Sequence, residues 1–160
     1  MDSETSKKFT EGKIKRVLGL DVGDSRIGVA ISDELRITTR GLLTIERTTN
    51  RADIQRIVDI ARENDCSGVV VGLPLNLSGD DSVQTSKVRV FARDLVNKFF
   101  SYPKEERVKV YLFDERFSTR IADETLTEMG VSDKKKRTII DQQAAAIILE
   151  DWMNANRGVE

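Results

Sequence analysis

The stretch RVLGLDVGDSRIGVAISD, Arg16 to Asp33, decides the fold. Its first apolar residues, Val17, Leu18 and Leu20, make a run too short for a helix and suited to a buried strand. That run then carries a carboxylate, Asp21, where a sheet core is expected. Asp-x-Gly follows, Asp21 to Gly23, and Ile27 to Ile31 reads as a second strand, with Asp24-Ser25 between the two as a hairpin turn. An acid in a strand core is costly unless a cation compensates it, and that cation is either a metal ion or a protein side chain. Asp21 is read here as a metal ligand at the centre of a sheet.

Downstream, Gly41 to Ile45 (GLLTI) is a third strand candidate, and from Arg51 the period changes. Ile54, Ile57, Val58 and Ala61 share one helical face, which predicts a helix ending near Asn64. The run GVVVG, Gly68 to Gly72, reads as a strand buried on both faces, as in a parallel sheet. The loop LPLNLSGDDS leads to a second helix capped by Asp81 or Ser82, with Val88, Phe91, Ala92, Leu95, Val96 and Phe99 as its apolar stripe. Val108, Val110 and Leu112 mark a last strand running into Asp114-Glu115-Arg116. A third helix capped by Ser118 or Thr119, with Gly130 just past its end, a basic loop Lys134 to Arg137, and a final helix from about Thr138 to about Asn154 complete the pattern. The order predicts an α/β fold: a mixed five-stranded sheet, three antiparallel strands and then parallel ones, with helices on both faces. The first strand is expected at the centre, with the GVVVG strand beside it.

A chain of 160 residues suits one domain, here 16–155, preceded by a loose polar tail over 1–15. That tail lacks the apolar segment of a secretory signal, no apolar run reaches the length of a membrane span, and the expected location is the cytoplasm. Cys66 is the only cysteine and is expected to be a buried structural thiol. The chain has no histidine. This removes Ser-His and Cys-His nucleophile pairs, the HExxH zinc motif and imidazole general bases. Any catalysis falls to carboxylates, Lys, Arg, hydroxyls or a metal. The net charge of −1 decides nothing about nucleic acid, because binding needs a local basic surface.

Three acids stand in unusual places: Asp21 in the first strand, Glu115 just past the last strand with Asp114 beside it, and Asp141 in the last helix. Ala144, Ala145 and Ile148 lie three, four and seven residues after Asp141, which puts it on the face that meets the core. Three converging oxygen donors describe a hard-cation site, magnesium or manganese. Two such ions about 4 Å apart clamp a phosphodiester. The plainer reading pairs Asp21 with Arg26, Asp114 or Glu115 with Arg116, and Asp141 with the basic loop before it.

The segments GLDVGDSRIGVAISD, VVVGLPLNLSG, DERFST and DQQAAAIIL resemble, in order and spacing, the four signature blocks of the YqgF family. That family is described as pre-16S rRNA nucleases and as Holliday-junction-resolvase-like proteins, and the likeness runs from about Val17 to Trp152. The resemblance implies an RNase H-like fold and Asp21, Glu115 and Asp141 as an acidic, metal-binding triad, with Asp114 a lesser candidate for the middle role. It also implies metal-dependent hydrolysis of structured nucleic acid, pre-rRNA or branched DNA, by a cytoplasmic protein.

For the substrate backbone the candidates are Lys134, Lys135, Lys136 and Arg137 before the Asp141 helix, and Arg26 and Arg116 nearer the acids. Arg120 is a further such cation, and Asn76 in the GLPLN turn can donate hydrogen bonds. Phe117 is a candidate for stacking on a base. Two rivals stand beside the nuclease. One is a nucleotide-binding phosphotransferase, since actin-like kinases also open with a strand, Asp-x-Gly and a hairpin. The other is a binding module of transcription or translation complexes that has lost its chemistry. Either a monomer or a homodimer is open, although a junction resolvase needs two sites related by symmetry.

Overall fold

The computed structural model describes residues 15–117 and 132–157. The third helix expected from Ser118 or Thr119 to Gly130, the Arg120 candidate, the side chain of Phe117 and the tail before Lys15 lie outside the described residues.

Five strands form one sheet: β1 (Val17–Val22), β2 (Arg26–Ser32), β3 (Thr39–Glu46), β4 (Gly68–Leu73) and β5 (Lys109–Asp114). Their spatial order is β3-β2-β1-β4-β5. β1 runs antiparallel to β2 and β2 to β3, whereas β1 and β4, and β4 and β5, are parallel. The expected mixed sheet with a central first strand is therefore present. The hairpin closes where Gly23 N donates to the Arg26 carbonyl at 2.9 Å.

Side chains alternate across the pleat, so each strand serves two cores. Leu18, Leu20 and Val22 join Ile27, Val29, Ile31, Val69, Val71 and Leu73 on one face. Two helices cover it, α1 (Asn50–Glu63) and α2 (Val83–Phe100), through Ile54, Ile57 and Val58 and through Val88, Phe91, Leu95 and Phe99. Thr49 caps α1, and Ser82 caps α2 in a reciprocal box with Thr85. On the opposite face Val17, Ala30 and Val70 meet Ala145, Ile148, Leu149 and Trp152 of α3 (Asp133–Ala155).

The start of α3 differs from the sequence expectation. It begins at Asp133, so Lys134 to Arg137 are the first turns of the helix and not a loop before it. Ser132 is the cap, accepting from Lys135 N, and lysine is a good helix former. Cys66 is buried between α1 and β4 as expected.

Under α3 the sheet is lined with glycine. A Cβ at Gly41 would meet Gln142, and one at Gly19 would meet Leu149 and the Ala145 carbonyl at 2.7 and 2.8 Å. One at Gly28 would overlap the Asp141 carbonyl, and one at Gly72 would overlap Glu115 Oε2 and stand 2.6 Å from Ile148 Cδ1. Four strands thus give up a side chain so that one helix can lie on their backbones. Hydrogen bonds from Thr39 to the Ala146 carbonyl and from Thr44 to the Thr138 carbonyl fix it across β3.

Candidate functional site

Asp21 shares the parity of Val17 and Gly19 in β1, so it faces α3. Its cross-strand partner on β2 is Gly28, the residue on which the Asp141 backbone rests. On the other side Leu20 pairs with Val71, so one further step sets Asp21 beside Gly72, the residue over which Glu115 Oε2 lies. The three acids named from the sequence therefore stand across β2, β1 and β4, at one end of the sheet and on one face. The bare glycines on either side of Asp21 leave the space into which the other two acids reach.

Asp21 and Asp141 also line one cleft of about 200 Å³, together with Gly23, Asp24, Ser25 and Arg26. Glu115 stands outside that lining, with Oε2 buried. Arg26 Nε donates to Asp141 Oδ2 at 2.7 Å, with the two side chains 29% and 21% exposed. That hydrogen bond, and then the Asp141 charge, hold the Arg26 guanidinium above its ordinary pKa against the opposing effect of burial. The partner of Asp141 is thus Arg26 rather than a cation of the basic run. In this arrangement no three acidic side chains among the described residues are gathered closely enough to hold one ion together. The donor chemistry still suits a hard cation: carboxylates only, with an arginine already drawn into the acidic cleft.

Asp114 points the other way. It pairs with Leu73, which packs under α1 and α2, whereas Phe113 pairs with Gly72 on the α3 face. The carboxylate of Asp114 accepts from the Arg116 backbone N–H at 3.0 Å and from Arg116 Nε at 2.8 Å. These bonds hold Asp114 below the usual carboxylate range. Arg116 Nη1 also donates to the Leu77 carbonyl at 3.2 Å and lies 3.2 Å from where a Cβ of Gly79 would stand. Arg116 thereby ties the end of β5 to the loop after β4. Gly79 has a φ of +91°, a conformation few other residues adopt there. Asn76 is exposed on that loop, its backbone N–H donating to the Asp80 carbonyl at 2.9 Å.

The basic run flanks the acids along α3. Lys136 and Arg137 line a second cleft of about 300 Å³ with Asp133 and Ile140, and Arg137 lies one helical turn before Asp141. Lys134 and Lys135 are exposed beside it.

Two supports of the site were not singled out from the sequence. Behind the Asp21 turn, Arg47 Nη1 donates to the Gly23 carbonyl at 3.0 Å, Gln84 donates to the Val22 carbonyl, and Lys87 pairs with Asp24. Arg47 is itself held by Asp53, which is only 2% exposed and also accepts from Thr48. Asp53 stands four residues before Ile57 and so on the apolar face of α1, a spacing that marks it as a buried acid in need of a partner. The glycine row is the second support. Its mark in the sequence is glycine at alternate positions of strands facing an alanine-rich helix.

Comparison with known proteins gives one family and a fold. The family described as "RuvX: Holliday junction resolvase" matches residues 15–155. A protein of Myxococcus xanthus named "Putative pre-16S rRNA nuclease" is 41% identical over 142 residues, 89% of each chain. A protein of the same name from Koribacter versatilis is 39% identical over 145 residues, 91% of this chain and 90% of its own. Among solved structures, "T. thermophilus RuvC in complex with Holliday junction substrate" aligns over 90% of this chain and 96% of that one. Its TM-score is 0.54 at 18% identity, a likeness of fold that agrees with the RNase H-like expectation.

Proposed function

The chain belongs to the RuvX family of Holliday junction resolvases, and from that membership we propose that it is a metal-dependent nuclease acting on structured nucleic acid. The preferred substrate is pre-16S rRNA, after the name carried by its 41% identical relative, and the 5′ end is the end we expect it to process. One observation carries the reading: Asp21 is flanked by two glycines, and Asp141 and Glu115 lie over them. Asp21, Glu115 and Asp141 would hold magnesium or manganese, two ions being the usual number for phosphodiester hydrolysis. When bound, such ions supply an activated water and a counter-charge for the leaving oxygen.

The remaining steps belong to the chain's own groups. Asp21 sits on the rigid central strand, its turn held from behind by Arg47 and Gln84. The buried Glu115 oxygen lies where bulk water is excluded. Lys134, Lys135, Lys136 and Arg137 carry the phosphate backbone along α3 toward the acids. Asn76 contacts the same backbone from the loop after β4, and Arg116 holds that loop in place. Asp114 is a positioning residue for Arg116 and not a ligand, since it faces the α1–α2 side.

We take 16–155 as a single domain; no helix among the described residues is long and apolar enough to cross a membrane. We place the protein in the cytoplasm with its RNA. The family description favours a second substrate, a four-way DNA junction, which would require two copies related by symmetry. The test uses wild type and Asp21→Asn with precursor rRNA ends and synthetic junctions, with and without magnesium or manganese. Cleavage that needs the ion and is lost in Asp21→Asn, with binding retained, is the expected result. Equal cleavage by both proteins, or none by wild type on either substrate, refutes the proposal.

A further inference from the structure

We propose that Arg26 is an exchangeable counterion: it holds Asp141 while no divalent ion is bound, and turns to a phosphate of the nucleic acid when an ion occupies that carboxylate. The inference rests on the nuclease reading above and adds an order of events to it. Arg26 opens β2 on the face that meets α3, two residues before Gly28, and lines the same cleft as Asp21 and Asp141. Among the described residues it bonds Asp141 through Nε, which leaves its two terminal nitrogens for another acceptor. It stays 29% exposed, so it can swing outward without opening the core. Its cross-strand partner Glu46 is exposed at the same edge and adds a weaker attraction that keeps the side chain near the cleft.

The physical reason is competition for one carboxylate. A guanidinium and a divalent ion repel one another, and both draw on the oxygens of Asp141. Once released, a planar fork beside the acids matches the paired oxygens of a phosphate. The exchange therefore links ion and substrate: each ligand removes a partner that opposes the other. Linkage of this kind is reciprocal and spans roughly 5- to 150-fold in affinity.

Manganese titrated calorimetrically into wild type and Arg26→Gln, without nucleic acid, tests the first half. The variant is expected to bind manganese about tenfold more tightly. Affinity for a labelled four-way junction, in EDTA and in calcium, tests the second half. Wild type is expected to gain more from calcium than Arg26→Gln does, by about tenfold. Manganese affinity unchanged in the variant, with junction binding weakened equally in both buffers, would make Arg26 a plain phosphate contact and overturn the exchange. Should Arg26→Gln fail to fold, Arg26→Lys carries the test. Its point charge without a fork is expected to give manganese affinity between the two, and identity with wild type overturns the proposal. A wild type that binds no divalent ion at all refutes the nuclease reading itself, an outcome distinct from failure of the exchange.

Discussion

Gly28→Ala is the most direct probe of how the acids are brought together. The added Cβ would stand 2.5 Å from the carbonyl carbon of Asp141 and 3.2 Å from its Cα. Ordinary carbon contacts are about 3.5–4.0 Å, so α3 must retreat by about 1 Å. The obstacle is helix backbone, which no rotamer change can move aside. Overpacking of this kind costs about 1–3 kcal/mol, and removing a glycine from a strand returns about 0.5–1 kcal/mol. A net loss of roughly 1–2 kcal/mol lowers the melting temperature by about 2–8 °C in a chain of this size. The same displacement carries Asp141 away from Asp21, and a shift of about 1 Å in catalytic geometry can cost about 100-fold in rate. Gly68→Ala is the control. Its new Cβ would meet only side-chain atoms, Tyr111 Cε2 at 3.0 Å and Val17 Cγ1 at 3.2 Å. Side chains can shift where helix backbone cannot, and a loss of under about 1 kcal/mol, smaller than that of Gly28→Ala, is expected. The assays are thermal unfolding by circular dichroism and ion-dependent cleavage of precursor rRNA. If Gly28→Ala melts and cleaves like Gly68→Ala, the seating of α3 on bare backbone does not place Asp141 and the reasoning fails.

Further predictions separate the neighbouring groups. Glu115→Gln is expected to lose most manganese affinity, whereas Asp114→Asn keeps it and stays within about 1 kcal/mol of wild type, as a part-exposed ion pair should; calorimetry and melting read the difference. Arg116 holds the Asp114 carboxyl below its ordinary value, so the pair's contribution is present above the unfolded value of about pH 4 and is lost as pH falls through the lower folded value. Asp114→Asn should therefore flatten the acid limb of a stability-versus-pH curve and leave the neutral region unchanged in slope. Cys66 is 7% exposed and its thiol is pushed up to about 12, chiefly by burial. It should resist a thiol reagent at pH 8 in the native protein and react fully once urea unfolds the chain; rapid native labelling would contradict its burial.

The fold was legible because its signals were local and repeated. Short apolar runs mark β1 and β2, the 3.6-residue period marks α1 and α2, and the run GVVVG marks β4 as doubly buried. The start of α3 was not legible: four consecutive cations look like a solvated loop, and only the Ser132 cap reveals a helix beginning before them. The acids Asp21 and Asp141 stood out because each interrupts an apolar face. Their partners did not, because pairing is a matter of register. Nothing local joins Arg26 to a residue 115 positions away, and the place of Asp53 on the apolar face of α1 calls for a partner without naming Arg47 as that partner.

Asp114 and Glu115 show why neighbouring acids need a register before they can be told apart. A strand sends consecutive residues to opposite faces, and β5 ends at Asp114, whose face its register sets, while Glu115 opens the 3-10 turn Glu115–Phe117 that follows. Leu73 opposite Asp114 and Gly72 opposite Phe113 fix which face is which. Asp114 falls on the α1–α2 side, where Arg116 takes it and anchors the loop after β4. Glu115 falls on the α3 side, over the glycine beside Asp21. A shift of β5 by a single residue would turn Asp114 to the α3 face and carry Glu115 off Gly72. The division of labour thus depends on the β4–β5 register, and through it on the packing of Val108 and Val110 beneath α2. Val110→Asp, which puts a charge into that packing, should therefore impair cleavage along with stability although it lies far from the acids in the sheet. A variant that melts early yet cleaves at the wild-type rate below its transition would show that the acids are placed by some other constraint.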